Sequence, residues 1–497
     1  MAEAIVIGAG FGGLALAIRL QAAGLQVTLL EKRDKPGGRA YVYRQDGFTF
    51  DAGPTVITDP TCLEELFTLS HRRLDEFVEL IAIDPFYRLE WPDGTRFDYG
   101  NDQAALDRQI AALSPPDVEG YRRLLAYSQA VFDEGYVKLG SVPFLDLWSM
   151  LRSAPQLARL QAWRSVYSIV AKHIRDPRLR QAFSFHTLLV GGSPFQTSSI
   201  YALIHALERK WGVWFPRGGT GALVDGLARL FESLGGTLRL NCPVAEITAT
   251  DRRVTGVRTA DGEVIVADLV VSNADVVHTY GRLLQHDRGA QMRRRLERRR
   301  YSMSLFVVYF GLRRRHDDIH HHTILFGPEY RGLVEAIFRA APLRDDFSLY
   351  VHAPSRTDPS LAPPGCSAFY ALSPVPNLRR AIDWRVEGPR YADRILETLE
   401  RRLIPGLRGD LVTRRIFTPD DFAGELNAHL GSAFSLEPIL TQSAYFRVHN
   451  RDSVLPNLYF VGAGTHPGAG VPGVVASAKA TAGLILDDVT ARDRMGG

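Results

Sequence analysis

The residues of this chain best placed to do chemistry stand near its two ends. Gly8-Ala9-Gly10-Phe11-Gly12-Gly13 follows the apolar run Ala4 to Ile7, and Glu31 ends a second apolar run, Gln26 to Leu30. Glycines so spaced serve a phosphate: Gly8 permits a tight turn, Gly10 lets backbone approach a pyrophosphate, and Gly13 lets a helix pack closely on a strand. Glu31, 21 residues past Gly10, suits a pair of ribose hydroxyls and repels a 2′-phosphate, which disfavours NADP. Gly37-Gly38-Arg39 adds backbone room and a cation for a second phosphate. From this unit alone, FAD and NAD are both open.

Each of these groups needs an element to hold it. A buried strand from Ala4 to Ile7, a small-residue helix from Leu14 to Ala23 ended by Gly24, and a strand from Gln26 to Leu30 form a Rossmann-type unit, so an α/β fold is expected. Near the C-terminus, Asn457 to Val461 reads as a strand, Gly462 to Gly470 as a glycine-rich loop, and Gly473 opens a helix to about Leu486. The start of such a helix stabilises negative charge at the edge of an isoalloxazine ring. Between the ends, Thr220 to Leu234 reads as a helix, strands alternate through Val266, and the buried strand Leu269 to Val271 closes on Ser272-Asn273-Ala274-Asp275. Gly219-Thr220-Gly221 repeats half a nucleotide motif but follows Pro216-Arg217 rather than a strand, so no second dinucleotide site is expected. Strands such as Leu305 to Phe310 and Ser348 to His352, with a helix from Glu387 to Leu403, describe a mixed-sheet substrate domain.

Composition bounds the function. A chain of 497 residues, 45 % hydrophobic and 23 % charged, is globular and large enough for two or three domains. The net charge of 59 − 55 = +4 argues against a nucleic-acid partner. Cys62, Cys242 and Cys366 show no CxxC spacing, so neither disulfides nor zinc are indicated and a reducing, cytoplasmic setting fits. The first apolar stretch lacks a basic flank and stops at Arg19 after 15 residues, short of the roughly 20 that a membrane span needs.

Taken together, VIGAGFGGLALAIRLQAAG with EKRDKPGGRAYVY and FDAGPTVITDP, the central Trp214-Phe-Pro-Arg-Gly-Gly-Thr-Gly-Ala222, and the C-terminal LYFVGAGTHPGAGVPGVVAS resemble the bacterial phytoene desaturases of the flavin amine-oxidase-like superfamily, over nearly the whole length. The lycopene-forming type is the most similar. The resemblance implies an FAD enzyme that converts 15-cis-phytoene to all-trans-lycopene in four desaturations, handling partly desaturated carotenes on the way. It implies flavin contacts at Gly8, Gly10, Gly12, Gly13, Glu31, Lys32, Gly38, Arg39, Thr55 and Val56, at Gly464, Gly473 and Val474, and at Val244 beside adenine. FAD-binding parts are then expected at 1–75, 216–275 and 436–497, substrate-domain parts at 76–143 and 276–435, and a helical membrane-associating region at 144–215.

That helical region holds four of the six tryptophans, and from Arg152 to Arg180 seven basic residues face one acid, Asp176. Leu157, Leu160, Trp163, Tyr167 and Val170 step by three and four, and Asp176-Pro177 reads as a helix start. Basic and aromatic faces of this kind rest on anionic lipid, and a C40 hydrocarbon must be collected from a bilayer, so a peripheral membrane location is expected. His320-His321-His322 reads as a polar loop rather than a metal site, and the arginines from Met292 to Arg300 as a solvated helix face. The chemistry needs a hydride acceptor, which flavin N5 supplies, an outlet for a proton, and reoxidation by oxygen or a membrane quinone. No acid or histidine is singled out by spacing as the catalytic base. An amine oxidase, a three-step carotene desaturase, an isomerase or ketolase, and a non-enzymatic prenyl-lipid escort share the expected architecture. The intact glycine and Glu31 motifs weigh against the escort.

Overall fold

The computed structural model describes residues 2–496, and side-chain surroundings throughout except at 147, 149, 492, 493, 495 and 496. A five-stranded parallel sheet is assembled from distant stretches in the order Leu458–Phe460, Leu269–Ser272, Glu3–Ile7, Gln26–Leu30, Thr237–Arg239. Parallel strands are covered on both faces, which explains their unbroken apolar runs. The helix Phe11–Ala22 lies on this sheet against the helices Thr220–Ser233 and Val471–Gly496. Leu14, Leu16, Leu20, Leu223, Leu227, Val475, Ala478 and Ile485 share the core there.

The C-terminal helix runs past Leu486 because its acids are used. Asp488 accepts from Arg451 Nη1 at 2.6 and 2.7 Å and from the Tyr459 hydroxyl at 2.6 Å, which ties the added turns to the last strand.

A second, mixed sheet has seven strands in the order Leu411–Phe417, Ser304–Leu312, Ser367–Val375, Leu349–His352, His322–Leu325, Tyr87–Glu90, Arg96–Tyr99. Side chains alternate along it with period two. Val307, Tyr309, Tyr350 and Tyr370 enter the core on the cavity side. Phe306, Val308, Phe310, Val351 and Phe369 pack on the other face, with Tyr391, Ile395 and Leu399 of the helix Trp384–Arg402. That helix starts three residues before the expected Glu387, because Asp383 caps it by accepting from Arg385 N.

Three further expectations change. The helical stripe through Leu157, Trp163 and Val170 is not continuous: the helix Leu147–Arg159 ends, Gln161 takes φ 53°, and a new helix, Val166–His173, starts behind the Ser165 cap. Val166, Ile169, Val170, Leu179, Phe183 and Phe185 are then buried, while Trp163 remains 64 % exposed, so only part of 144–215 can face a membrane. The segment before Gly219 is a strand after all, Val213–Pro216, antiparallel to Leu80–Ile83. What closes the following helix to a nucleotide is Asp51, whose carboxylate accepts from Thr220 N at 3.0 Å and Gly221 N at 3.3 Å. A fixed carboxylate already occupies that anion site. Finally, His321 and His322 do not belong to a polar loop: both are buried, and His322 begins a central strand.

Candidate active site

The helix Phe11–Ala22 starts from Gly10 with no side chain capping it, so its opening N–H groups are available to an anion. Gly8 makes the preceding turn at φ 95°, where a side chain would be strained. Gly13 admits no side chain at all, since a Cβ there would lie 2.0 Å from the Gly8 carbonyl oxygen. Asn273 draws the two glycine loops together: its Nδ2 donates to Gly8 O at 3.1 Å, and its Oδ1 would stand 2.8 Å from a Cβ on Gly12 and 2.5 Å from one on Gly462. Asn273 was not among the residues expected at the site. The only sequence signal was its place at the end of a buried strand.

Glu31 is 5 % exposed and already held, its Oε2 accepting from Ala9 N at 2.9 Å and its Oε1 from Arg33 N at 3.0 Å. A carboxylate has about four acceptor positions, so capacity remains for two hydroxyls. Its own carbonyl accepts from Cys242 N at 2.8 Å, which brings the strand Val244–Ala249 alongside and sets Val244 near Glu31. Arg39 donates from Nε to Ala433 O at 2.7 Å; burial pulls the pKa of its guanidinium down, against an opposing pull from Asp275. Burial likewise lowers that of Lys32, whose Nζ donates to Gly424 O at 3.3 Å.

Gly8, Gly10, Gly12, Glu31, Lys32, Gly38, Arg39, Thr55, Val56, Val244, Gly473 and Val474 all line one cavity of about 1170 Å³. Gly13 and Gly464 stand behind its wall as packing positions, the latter because a Cβ would meet Val276 Cγ1 at 2.5 Å. The cradle fits a dinucleotide: uncapped amides, glycines where Cβ atoms would intrude, and a pinned acid at the end of the second strand. The cavity continues beyond it between apolar walls that include Leu188, Leu207, Leu305, Val307 and Phe326.

Among the polar groups that interrupt the apolar walls, two are tightly hydrogen-bonded. Thr55 Oγ1 is hydrogen-bonded to the hydroxyls of Tyr370 at 2.6 Å and Tyr350 at 3.0 Å. Farther along, Glu208 is fully buried, accepts from the Tyr87 hydroxyl at 2.8 Å, and lies 3.2 Å from His186 Nε2 without hydrogen-bond alignment. Burial, then the neighbouring His186, pushes the pKa of His205 down to about 3. No spacing in the sequence distinguished Glu208 from other helical acids. Met150 and Leu157 of the helix Leu147–Arg159 also line the cavity, and the same helix exposes Trp148 and Leu151.

Comparison with known proteins adds the relationship. The family "Flavin containing amine oxidoreductase" matches residues 11–486. A lycopene-forming phytoene desaturase of Pseudescherichia vulneris is 64 % identical over 98 % of this chain and 100 % of its own, and one of Pantoea ananas is 62 % identical over the same shares. A neurosporene-forming phytoene desaturase of Rhodobacter capsulatus is 44 % identical, covering 98 % of this chain and 94 % of its own. Among solved structures, cyclohexylamine oxidase from Brevibacterium oxydans shares the fold at a TM-score of 0.63 with 16 % identity, covering 98 % of this chain and 99 % of that one.

Proposed function

This chain belongs to the flavin-containing amine oxidoreductases, and from that footing we propose that it is an FAD-dependent desaturase converting 15-cis-phytoene to all-trans-lycopene. The observation that carries the reading is the 62–64 % identity, over nearly full length, to lycopene-forming relatives, against 44 % to a neurosporene-forming one. The continuous apolar cavity beside the cradle supports it, since a C40 polyene offers no polar handle and must be aligned by shape.

In this reading Gly8, Gly10, Gly12 and the start of the first helix hold one phosphate, Gly38 and Arg39 the other, and Glu31 the ribose, with Val244 beside adenine. Lys32 flanks the ribose end. Thr55, Val56, Gly473 and Val474 hold the ring end, with Gly13 and Gly464 setting loop positions. FAD bound there supplies the hydride acceptor. The chain's own part is to exclude water with Leu188, Leu305, Val307 and Phe326, and to bring successive CH–CH units past Thr55 until no saturated site is within reach.

Residues 1–75, 216–275 and 436–497 then form the FAD-binding parts, and 76–143 with 276–435 the substrate domain. The membrane-facing region narrows to the helix Leu147–Arg159 and Trp163, with Arg152, Arg159, Arg164 and Lys172 exposed nearby for anionic headgroups. A helix that lines the cavity on one side and presents Trp148 on the other is suited to pass a carotene inward. No described helix is long and apolar enough to cross a membrane, which is compatible with peripheral attachment. Oxygen or a bilayer quinone takes the electrons.

Incubation of the purified yellow protein with phytoene liposomes and a quinone or oxygen, followed by pigment chromatography, tests the function. Lycopene is the expected end product. Accumulation of neurosporene or ζ-carotene with excess enzyme would overturn the four-step reading.

A further inference from the structure

Each desaturation breaks two C–H bonds: a hydride leaves to the bound acceptor, a new C=C bond forms, and one proton has to leave a cavity walled by hydrocarbon. No carboxylate touches the Thr55 group through the hydrogen bonds described for it. What does touch it is a file of hydroxyls and imidazoles that leads outward. Tyr350, whose hydroxyl meets Thr55 Oγ1 at 3.0 Å, is 2.7 Å from His322 Nδ1. His321 and His352 face each other through their Nε2 atoms at 3.1 Å, and one ring nitrogen from each of His321, His322 and His352 lies within 4.8 Å of the others. His321 Nδ1 then meets Thr357 Oγ1 at 2.6 Å, and Thr357 is only partly buried.

We propose that Tyr350, His322, the His352–His321 pair and Thr357 form a proton relay that carries the proton of each desaturation from the cavity wall at Thr55 and Tyr370 to solvent. This inference rests on the desaturase reading of the same cavity. The three imidazoles are buried, with Phe215 against His321 and His352, Tyr87 against His322, Tyr370 against His352, and Arg356 the charged group acting on His321. Burial keeps them neutral, pushing the pKa of His322 down to about 3 and those of His321 and His352 well below the usual range.

A neutral imidazole has one donor and one acceptor nitrogen, which is what hand-to-hand proton transfer requires. A weak base is adequate at the cavity end, because a carbon beside a developing allylic cation is a strong acid, and a weak base releases the proton again quickly. His322 Nε2 and His352 Nδ1 have no hydrogen-bond partner although both are buried. Such orphaned nitrogens are costly in a purely structural cluster and leave lone pairs and protons free to pass along. The longest step, from His322 to the His321–His352 pair, is within reach of one bridging water.

Stopped-flow mixing of the anaerobic holoenzyme with phytoene-loaded liposomes, in weak buffer with a pH-indicator dye, reads flavin bleaching and proton release in the same shot. In the unaltered protein the dye keeps pace with bleaching, at one proton per flavin bleached. In His321→Leu, and in Thr357→Val, which leaves every imidazole in place, the dye falls behind bleaching by about 100-fold, the lower end for losing a positioned proton-transfer group. Synchronous signals in both variants would overturn the relay. Failure of phytoene to bleach the unaltered holoenzyme would instead overturn the desaturase reading, and the relay's cargo with it. Two measurements need no turnover: ¹⁵N-histidine spectra of the resting protein should show His321 and His322 uncharged at neutral pH, and elemental analysis should find no stoichiometric zinc. A charged imidazole there, or zinc held by the trio, would overturn the relay.

Discussion

Glu31 is pinned by the Ala9 and Arg33 amides before any ligand reaches it, so its orientation costs nothing on binding. Glu31→Gln keeps the shape but removes the charge and turns one acceptor into a donor facing the ribose hydroxyls or the amides. Charge-assisted hydrogen bonds contribute about 1.5–3 kcal/mol each, so FAD should be held at least ~10-fold more weakly, read by flavin fluorescence during dialysis. Retention equal to the unaltered protein would remove Glu31 from the cradle. Glu208 calls for a paired comparison. Glu208→Ala leaves the Tyr87 hydroxyl buried without its acceptor, at about 1–3 kcal/mol, whereas Glu208→Gln can still accept from it. Urea titration should separate the two variants in that order.

The helix Phe11–Ala22 and the glycines around it show how an element constrains a residue. Gly13 faces the Gly8 carbonyl at a distance that no Cβ tolerates, while Gly24, at φ 90°, has open space around it. Gly24→Ala should therefore cost only the left-handed backbone strain, about 1 kcal/mol, and keep full flavin content. Gly13→Ala should separate helix from strand and yield protein without flavin. Equal flavin content in the two would contradict this packing. The helix Leu147–Arg159 gives the other element-level expectation. Reversing Arg159, Arg164 and Lys172, all exposed, should leave the melting temperature unchanged but reduce binding to anionic liposomes at least ~10-fold, given about 1 kcal/mol per basic residue at such a surface. Unchanged binding and turnover would return the basic stretch from Arg159 to Lys172 to ordinary surface.

Across the whole molecule, buried imidazoles set the pH response. Burial lowers the pKa values of His205 and His322 to about 3 and that of His466 to about 4, with His321 and His352 also strongly lowered. The unfolded chain binds protons at these groups near pH 6.5 and the folded chain does not, so their contribution is complete above ~6.5 and is lost on acidification, at up to about 1.4 kcal/mol per pH unit for each. Asp51 and Glu437, raised by burial to about 6 and about 7, act in the opposite direction, favouring the fold as they become protonated. Five imidazoles outweigh two carboxyls. The urea midpoint should fall from pH 7 to pH 5, and less steeply in His205→Gln; a flat profile would contradict neutral burial.

The two glycine motifs, Glu31 and the apolar strands were legible in the sequence because each depends on local chemistry: a turn that needs φ above zero, a helix start that leaves amides free, an acid at a strand end. The parallel core sheet followed from the same runs, and so did the meeting of the two chain ends at one cavity. The rest depended on contacts between residues far apart in number. Asn273 knots Gly8 to Gly462 only after three distant stretches join one sheet. Asp51 closes the helix after Gly219 from a hairpin nearly 170 residues away in the chain. His321 and His322 read as a polar loop because consecutive residues point in different directions and no carboxylate or cysteine joins them at ligand spacing. They are buried because their strand is inserted between Leu349–His352 and Tyr87–Glu90, where Tyr350 and Thr357 meet their ring nitrogens. A periodicity argument measures what a segment prefers in isolation; whether a polar side chain can be buried depends on partners that only the folded chain brings within hydrogen-bond distance.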